Sequence, residues 1–376
     1  DVYDENFKLL NCAKIYPDRL TKKYKLNKKE ITFDDREVIY LGAFWPHWGH
    51  FLVEQVSRLY YFLNEEKTNN LPIIYLSPKP LEGTFLEFIE LLGIDTKRLI
   101  HINKPTKFKK IYIPEASAVS YKYYTNEYLE IFKKIKNIKL DNFPTHKKVF
   151  YTTRNFKKNS RKSFGKLEKI ENLFKENGFS LISPESLTLK EQIAIMQNCE
   201  EFACIEGTLQ HNLLFANENI KAYIINKVAI INPYHFIIDK IAKINPIYID
   251  CHLSLFPNEL GYGIYYYHIS KNLENFIADN NFKNVEENSS SLTTYFEKYL
   301  ETYLDRKKYL KKTEYKKFKT YLYYINQIQD KKLRHKIKLT SFLLCMPILS
   351  NLFSIFLSLK KFLFKVSSLF ELKFKI

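Results

Sequence analysis

Between Lys148 and Asn226 short apolar runs alternate with amphipathic segments near the helical period, and few folds accept that alternation. Lys148–Thr153, Phe179–Ser183, Glu201–Ile205 and Lys221–Asn226 read as strands. Leu167–Asn177, closed by Gly178, Thr188–Asn198 and Leu209–Asn217 read as helices. Helix Pro233–Ala242 and strand Pro246–Asp250 extend the series. Strands joined through helices pair in parallel, so the pattern predicts a doubly wound α/β sheet. A looser version precedes it. Glu37–Leu41, Pro72–Ser77 and Lys109–Pro114 read as strands; Gly49–Asn64, Thr84–Leu92 (ended by Gly93) and Glu127–Ile135 read as helices. Asp141–His146 reads as a linker between the two halves. The expected organisation is two Rossmann-type αβα domains with a central cleft, residues 1–143 and 144–272, followed by a helical basic and apolar tail, residues 273–376.

Hydrophobic residues at 45% and aromatics at 16% are enough to build cores, which excludes wholesale disorder. The net charge of +18 is unevenly spread. From Arg306 to Lys338 there are 13 Lys and Arg against Glu314 and Asp330. That points to a basic appendage rather than a uniformly basic surface. Part of the lysine excess is what an AT-rich coding sequence produces. Cys12, Cys199, Cys204, Cys251 and Cys345 are odd in number and scattered, which reads as free thiols in a reducing compartment. No signal peptide is visible at Asp1–Asp4. Asn288-Ser289-Ser290 fits a sequon but reads as a solvated loop.

Three clusters carry chemistry. In His47-Trp48-Gly49-His50-Phe51-Leu52-Val53-Glu54, His50 and Glu54 are four apart and share a helix face, which Arg58 would continue one turn later. Either Glu54 or His50 could deprotonate a hydroxyl; a solvated charge ladder is the competing reading. Arg154 ends a strand and can fork onto a diphosphate, with Lys157, Lys158, Arg161 and Lys162 following as an ordinary basic loop. In Glu206-Gly207-Thr208-Leu209-Gln210-His211-Asn212, Gly207 permits a tight turn and Thr208 can cap the next helix, whose N–H groups favour phosphate. His211 and Asn212 on its first turn could reach a ribose, base or phosphate; a plain capped corner is the alternative. Leu189, Ile193, Ile195 and Met196 read as core and Gln192 as a buried structural amide. Cations and backbone donors on one sheet edge fit a diphosphate, so the chain reads as an enzyme of nucleotide sugars. No metal or other cofactor is expected: Asp34-Asp35 precedes a strand instead of ending one, and there is no P-loop, GxSxG or GxGxxG.

In order and spacing these motifs resemble glycosyltransferase family 61, the enzymes of bacterial capsule and lipopolysaccharide clusters. The resemblance runs from Glu37 to Asn226. It rests on His47 to Glu54 with Arg58-Leu59, on Tyr151 to Arg154, on Leu189-Lys190-Glu191-Gln192, and on Gly207 through His211, Asn212 and Phe215. The family's Asn and Asp in the first motif are His47 and Glu54 here, and its His-Gly-Ala-Gly turn is Glu206-Gly207-Thr208-Leu209. The resemblance implies a GT-B-like fold and metal-independent transfer with inversion from a nucleotide-sugar donor to a glycan or lipid-linked glycan acceptor. It assigns Glu54 or His50 as base, with Arg58, Arg154, Gly207, Thr208, His211 and Asn212 on the donor.

Leu339–Leu359 is uncharged, interrupted by Pro347 and flanked by lysines. We read it, with the basic segment before it, as an anchor to anionic lipid on the inner face of the cytoplasmic membrane; a transmembrane helix and a buried hairpin are the rivals. A non-catalytic scaffold for polysaccharide assembly and a nucleic-acid-binding protein are the other classes to separate. No nucleic-acid motif accompanies the charge, so no nucleic-acid partner is expected.

Overall fold

The computed structural model describes residues 2–14, 30–63, 70–119, 122–140, 142–143, 145–154, 163–228, 231–252, 265–284 and scattered positions between 326 and 339. Lys157, Lys158, Arg161 and Lys162, the sequon at Asn288, the charged segment at 291–324, Cys345 and the apolar run past Leu339 lie outside the described residues, as do Asp141 and Pro144 of the expected linker.

In chain order the strands are β1 (Thr32–Ala43), β2 (Ile73–Leu76), β3 (Leu99–Ile102), β4 (Thr106–Tyr112), β5 (Ala118–Val119), β6 (Tyr123–Tyr124) and β7 (Lys148–Tyr151). They continue as β8 (Ser163–Gly165), β9 (Ser180–Ile182), β10 (Glu201–Ile205), β11 (Lys221–Asn226), β12 (Ile247–Asp250) and β13 (Tyr265–Tyr267). The α-helices are α1 (Trp48–Val53), α2 (Thr84–Leu91), α3 (Asn126–Lys136), α4 (Leu167–Glu176), α5 (Leu189–Asn198), α6 (Pro233–Ala242) and α7 (Lys271–Asp279). The result is a mixed α/β protein with parallel sheets, as the alternation predicts.

The chain forms two compact units. The first comprises residues 1–151, 182–222 and 232–246; the second comprises 152–181, 223–231 and 247–376. In the first, β1 lies inside a parallel sheet of order β3-β2-β1-β4. Val38, Ile39, Tyr40 and Leu41 are all buried, the continuous apolar run that a covered central strand needs. β7 and β10 of the same unit pair in parallel, within a sheet of order β12-β11-β10-β7-β9. Counted along the chain, the order reverses between β7 and β10, and such a switch point opens a crevice beyond the strands' carboxyl ends.

Aromatic packing joins the helices of this unit. Phe51 meets Phe85 and Phe88 edge-on at 5.1 and 5.3 Å, and Phe215 lies 6.4 Å from both Phe88 and Phe132. Helix α5 opens on a capping box of Thr188 and Glu191. Glu87 of α2 accepts from Leu189 N and Lys190 N at 3.0 and 3.2 Å, taking two more of the α5 end donors. Gln192 donates to Pro184 O at 3.0 Å, the buried structural amide expected of it.

The helix expected over Gly49–Asn64 is divided. α1 stops at Glu54, which has φ −129° and ψ −50°, and Gln55–Leu63 continues as 3-10 helix. Thr208–Phe215 is also 3-10 rather than α-helical. In the second unit β12 pairs with β11 and β13 with β8, both in parallel. Among the described residues no helix is long and apolar enough to cross a membrane.

Candidate active site

His47 is the N-cap of α1, and its Nδ1 accepts from His50 N at 3.4 Å. His50 lies on the first turn and Glu54 is the residue that ends the helix. The i,i+4 spacing brings His50 Nδ1 to 3.2 Å from Glu54 Oε2. The other carboxylate oxygen, Oε1, accepts from the Tyr234 hydroxyl, 180 residues away in sequence. Tyr234 reaches it from the first turn of α6, whose N-cap Asn232 accepts from Tyr234 N at 3.1 Å. Glu54 is thus a buried carboxylate bound at both oxygens, while the His50 side chain is 28% exposed. A neutral imidazole facing a carboxylate through Nδ1 carries its hydrogen there, which leaves Nε2 basic.

The corner after β10 completes the first unit's site. Gly207 has φ 134°, which an L side chain resists, and it occupies the N-cap of Thr208–Phe215. Thr208 therefore does not cap this helix as expected. It lies instead against α1, where a β-carbon on Gly49 would come within 3.2 Å of Thr208 Oγ1 and 2.9 Å of His211 Cε1. His211 and Asn212 are interior, 6% and 2% exposed, and Asn212 Nδ2 donates back to Leu209 O at 3.2 Å. Side chains so placed hold the corner rather than reach out to a ligand. The His211 ring meets His235 edge-on at 5.7 Å, and His235 Nδ1 lies 3.3 Å from Glu206 Oε1. Gln210 donates to Asp239 Oδ1 at 3.0 Å. Burial lowers the His211 pKa well below the ordinary histidine value; His235, His47 and His50 push the same way and the Gly49 backbone opposes them. The neutral ring is the form kept at pH 7.

Arg58 does not continue the face of His50 and Glu54, because α1 ends before it. It is fully buried, donating through Nε to Pro114 O at 2.9 Å and through Nη2 to Cys12 O at 2.8 Å and Lys14 O at 3.5 Å. Its guanidinium lies 5.7 Å from the Tyr40 ring. The side chain that the resemblance assigns to the donor instead ties residues 12–14 to the exit of β4.

In the second unit Arg154 follows β7. Its Nε donates to Glu171 Oε2, and Thr152 donates to Glu171 Oε1. Glu171 is fully buried, whereas the Arg154 side chain is 41% exposed. A buried carboxylate holding one edge of a guanidinium fixes its direction, and a second, exposed carboxylate, Glu168 Oε1, lies 4.0 Å from Nη1 on the outer edge. Among the described residues no group of three or more His, Cys, Asp or Glu is arranged to hold a metal ion. Sequence reading missed Tyr234, His235 and Glu171. The Asn232-Pro233 helix start was a visible signal for the first two, since it sets Tyr and His on one opening turn.

A parallel α/β scaffold, a switch point and a histidine–carboxylate pair suit acid–base chemistry on a ligand held at the sheet edge. The Glycosyltransferase 61 family model matches residues 48–224, a stretch that holds His50, Glu54, Arg154 and the whole Gly207 corner. Residues 48–224 are thus a glycosyltransferase family 61 domain, and the chain is a glycosyltransferase, an enzyme that takes a sugar from a donor to a glycan acceptor. A comparison with curated protein sequences finds no match.

Proposed function

We propose that the chain is an inverting, metal-independent transferase of the GT-B type. It would move a sugar from a nucleotide-diphosphate donor to a glycan acceptor in capsule- or lipopolysaccharide-type surface polysaccharide assembly. The observation that carries the reading is the occupation of both Glu54 oxygens, by His50 and by Tyr234. A carboxylate so engaged orients and stabilises a base better than it acts as one, which makes His50 the base and Glu54 its support. The acceptor O–H gives its proton to His50 Nε2 while its oxygen bonds the anomeric carbon. The bond from that carbon to the diphosphate breaks on the opposite face and its electron pair leaves with the phosphate. The imidazolium formed is stabilised by Glu54. The first N–H groups of Thr208–Phe215 would meet the leaving charge, with Gly207 and Thr208 nearest to it and His211 and Asn212 holding the corner. Arg154, presented by Glu171 in the second unit, is suited to bind phosphate.

Release of UDP or GDP from a panel of nucleotide sugars, measured with EDTA present, tests this reading, and release of CMP alone would contradict the diphosphate donor. One donor should turn over in EDTA. His50→Ala should lower kcat about 10²–10⁴-fold with donor binding retained, the usual contribution of a positioned base. Undiminished turnover by His50→Ala would remove the assignment.

A further inference from the structure

The first unit contains a cavity of about 870 Å³, apart from the His50 pair and the Gly207 corner. Its size suits an oligosaccharide of a few rings, since small-molecule sites run to roughly 300–1,000 Å³. One wall is the segment Val2–Lys14. Tyr3 and Leu9 form an antiparallel bridge there, Leu10 N donates to Val2 O at 2.9 Å, and Arg58 ties down Cys12 and Lys14 by their carbonyls. The opposite wall comes from β1, β2 and β4 and the turns that leave them.

Two features indicate what fits. The first is Trp45, which lines the cavity yet is 49% exposed. Its backbone is pinned: Trp45 N donates to Gln55 Oε1 at 3.0 Å, while Gln55 Nε2 and His47 N both donate to Trp45 O, at 3.2 and 2.7 Å. A large apolar ring on a fixed stretch of backbone at an open edge offers its face to a ligand, and the C–H face of a pyranose matches it. The second is charge. Lys14, Lys104, Lys107, Lys109 and Lys110 line the cavity with two carboxylates, Asp4 and Glu5; Lys109 also pairs with Glu37 at 3.4 Å and Lys110 donates to the Tyr112 hydroxyl at 3.0 Å. The place is also apt. Trp45 stands two residues before His47, so their Cα atoms are at most about 7 Å apart, and the His47 ring is 4.7 Å from that of His50.

We propose that this cavity is the acceptor subsite and takes an acidic oligosaccharide, with one sugar ring stacked on Trp45 and its carboxylate or phosphate groups met by the lysines. This rests on the transferase reading for its purpose but not for its binding. Arg58 is a positioning residue that keeps the Val2–Lys14 wall closed.

Trp45 and Trp48 are the two tryptophans of the chain, so Trp48→Phe leaves Trp45 as the one emitter. That protein, full length, would be titrated with tetragalacturonate, tetrasialic acid and neutral maltotetraose. The expected result is a saturable change in emission with an acidic tetramer at least ten-fold tighter than with maltotetraose. Lys104→Glu with Lys107→Glu should weaken it at least ten-fold. If Trp48→Phe fails to fold, the two indole N–H signals of ¹⁵N-labelled native protein report instead, and one should move. No response to either acidic tetramer, or equal affinity for the neutral one, would overturn the proposal. Nucleotide release is read in parallel. Release without a Trp45 response sinks the subsite alone, whereas a Trp45 response without release from any donor sinks the transferase reading and leaves the glycan site standing.

Discussion

Gly49 shows how closely the site is packed. Its missing side chain is what allows α1 to touch Thr208 and His211, and a β-carbon there would sit 2.9 Å from His211 Cε1. Gly49→Ala should therefore destabilise the protein by about 1–3 kcal/mol, the usual cost of overpacking, read as a lower Tm. His211→Ala in the same chain should return much of the loss. Two buried histidines set the acid response. Burial lowers the His211 pKa and takes His252 to about 4, with Asp250 opposing in the latter. Unfolded histidines titrate near ~6.5, so below that value the unfolded chain takes up protons that these folded rings refuse. Stability is complete above about 6.5 and falls as pH drops towards about 4. Denaturant midpoints between pH 7.5 and pH 5 should fall, and His252→Gln should flatten the slope; a flat native profile would contradict this. The pair His50 and Glu54 was legible in sequence because i,i+4 spacing survives even in a six-residue helix. Tyr234 was not, since nothing local links residues 180 positions apart.

At the level of elements, short continuous apolar runs and period-3.6 patterns identified the main strands and helices of the two larger sheets, because buried parallel strands and amphipathic helices must carry them. The departures have physical causes. β3 has only four residues, all partly buried, and leaves too short an apolar trace to find. β4 starts at Thr106, earlier than its apolar end suggests, because Lys107 and Lys109 on an edge strand face solvent. The stop at Glu54 has no glycine or proline to announce it. Arg58 was assigned to the donor because an arginine with three carbonyl partners cannot be told from a ligand-facing one by spacing. The α5 end is the clearest element-scale test. Glu87→Ala removes an acceptor for two of its end donors, and Thr188→Ala removes the capping box. Each should cost about 0.5–2 kcal/mol, and because Glu87 and Thr188 share one helix terminus the losses should be non-additive in a double-mutant cycle.

For the whole molecule, the charge distribution carries a prediction of its own. We propose that the basic run from Arg306 to Lys338 holds the protein to an anionic membrane, with the apolar segment past Leu339 dipping into it. The full chain should sediment with phosphatidylglycerol vesicles and release as salt rises; indifference to vesicle charge would count against it.

The opening residues have a practical bearing on any longer or altered form of the polypeptide. Val2 is packed into the apolar cluster with Tyr40, Ile74 and Phe108 and is also part of the cavity wall. Whatever is joined ahead of it, a purification tag or a natural extension, must depart from the rim of that opening. Such an appendage would compete with incoming glycan through proximity alone, so preparations tagged at opposite ends should differ in acceptor KM and agree in donor KM.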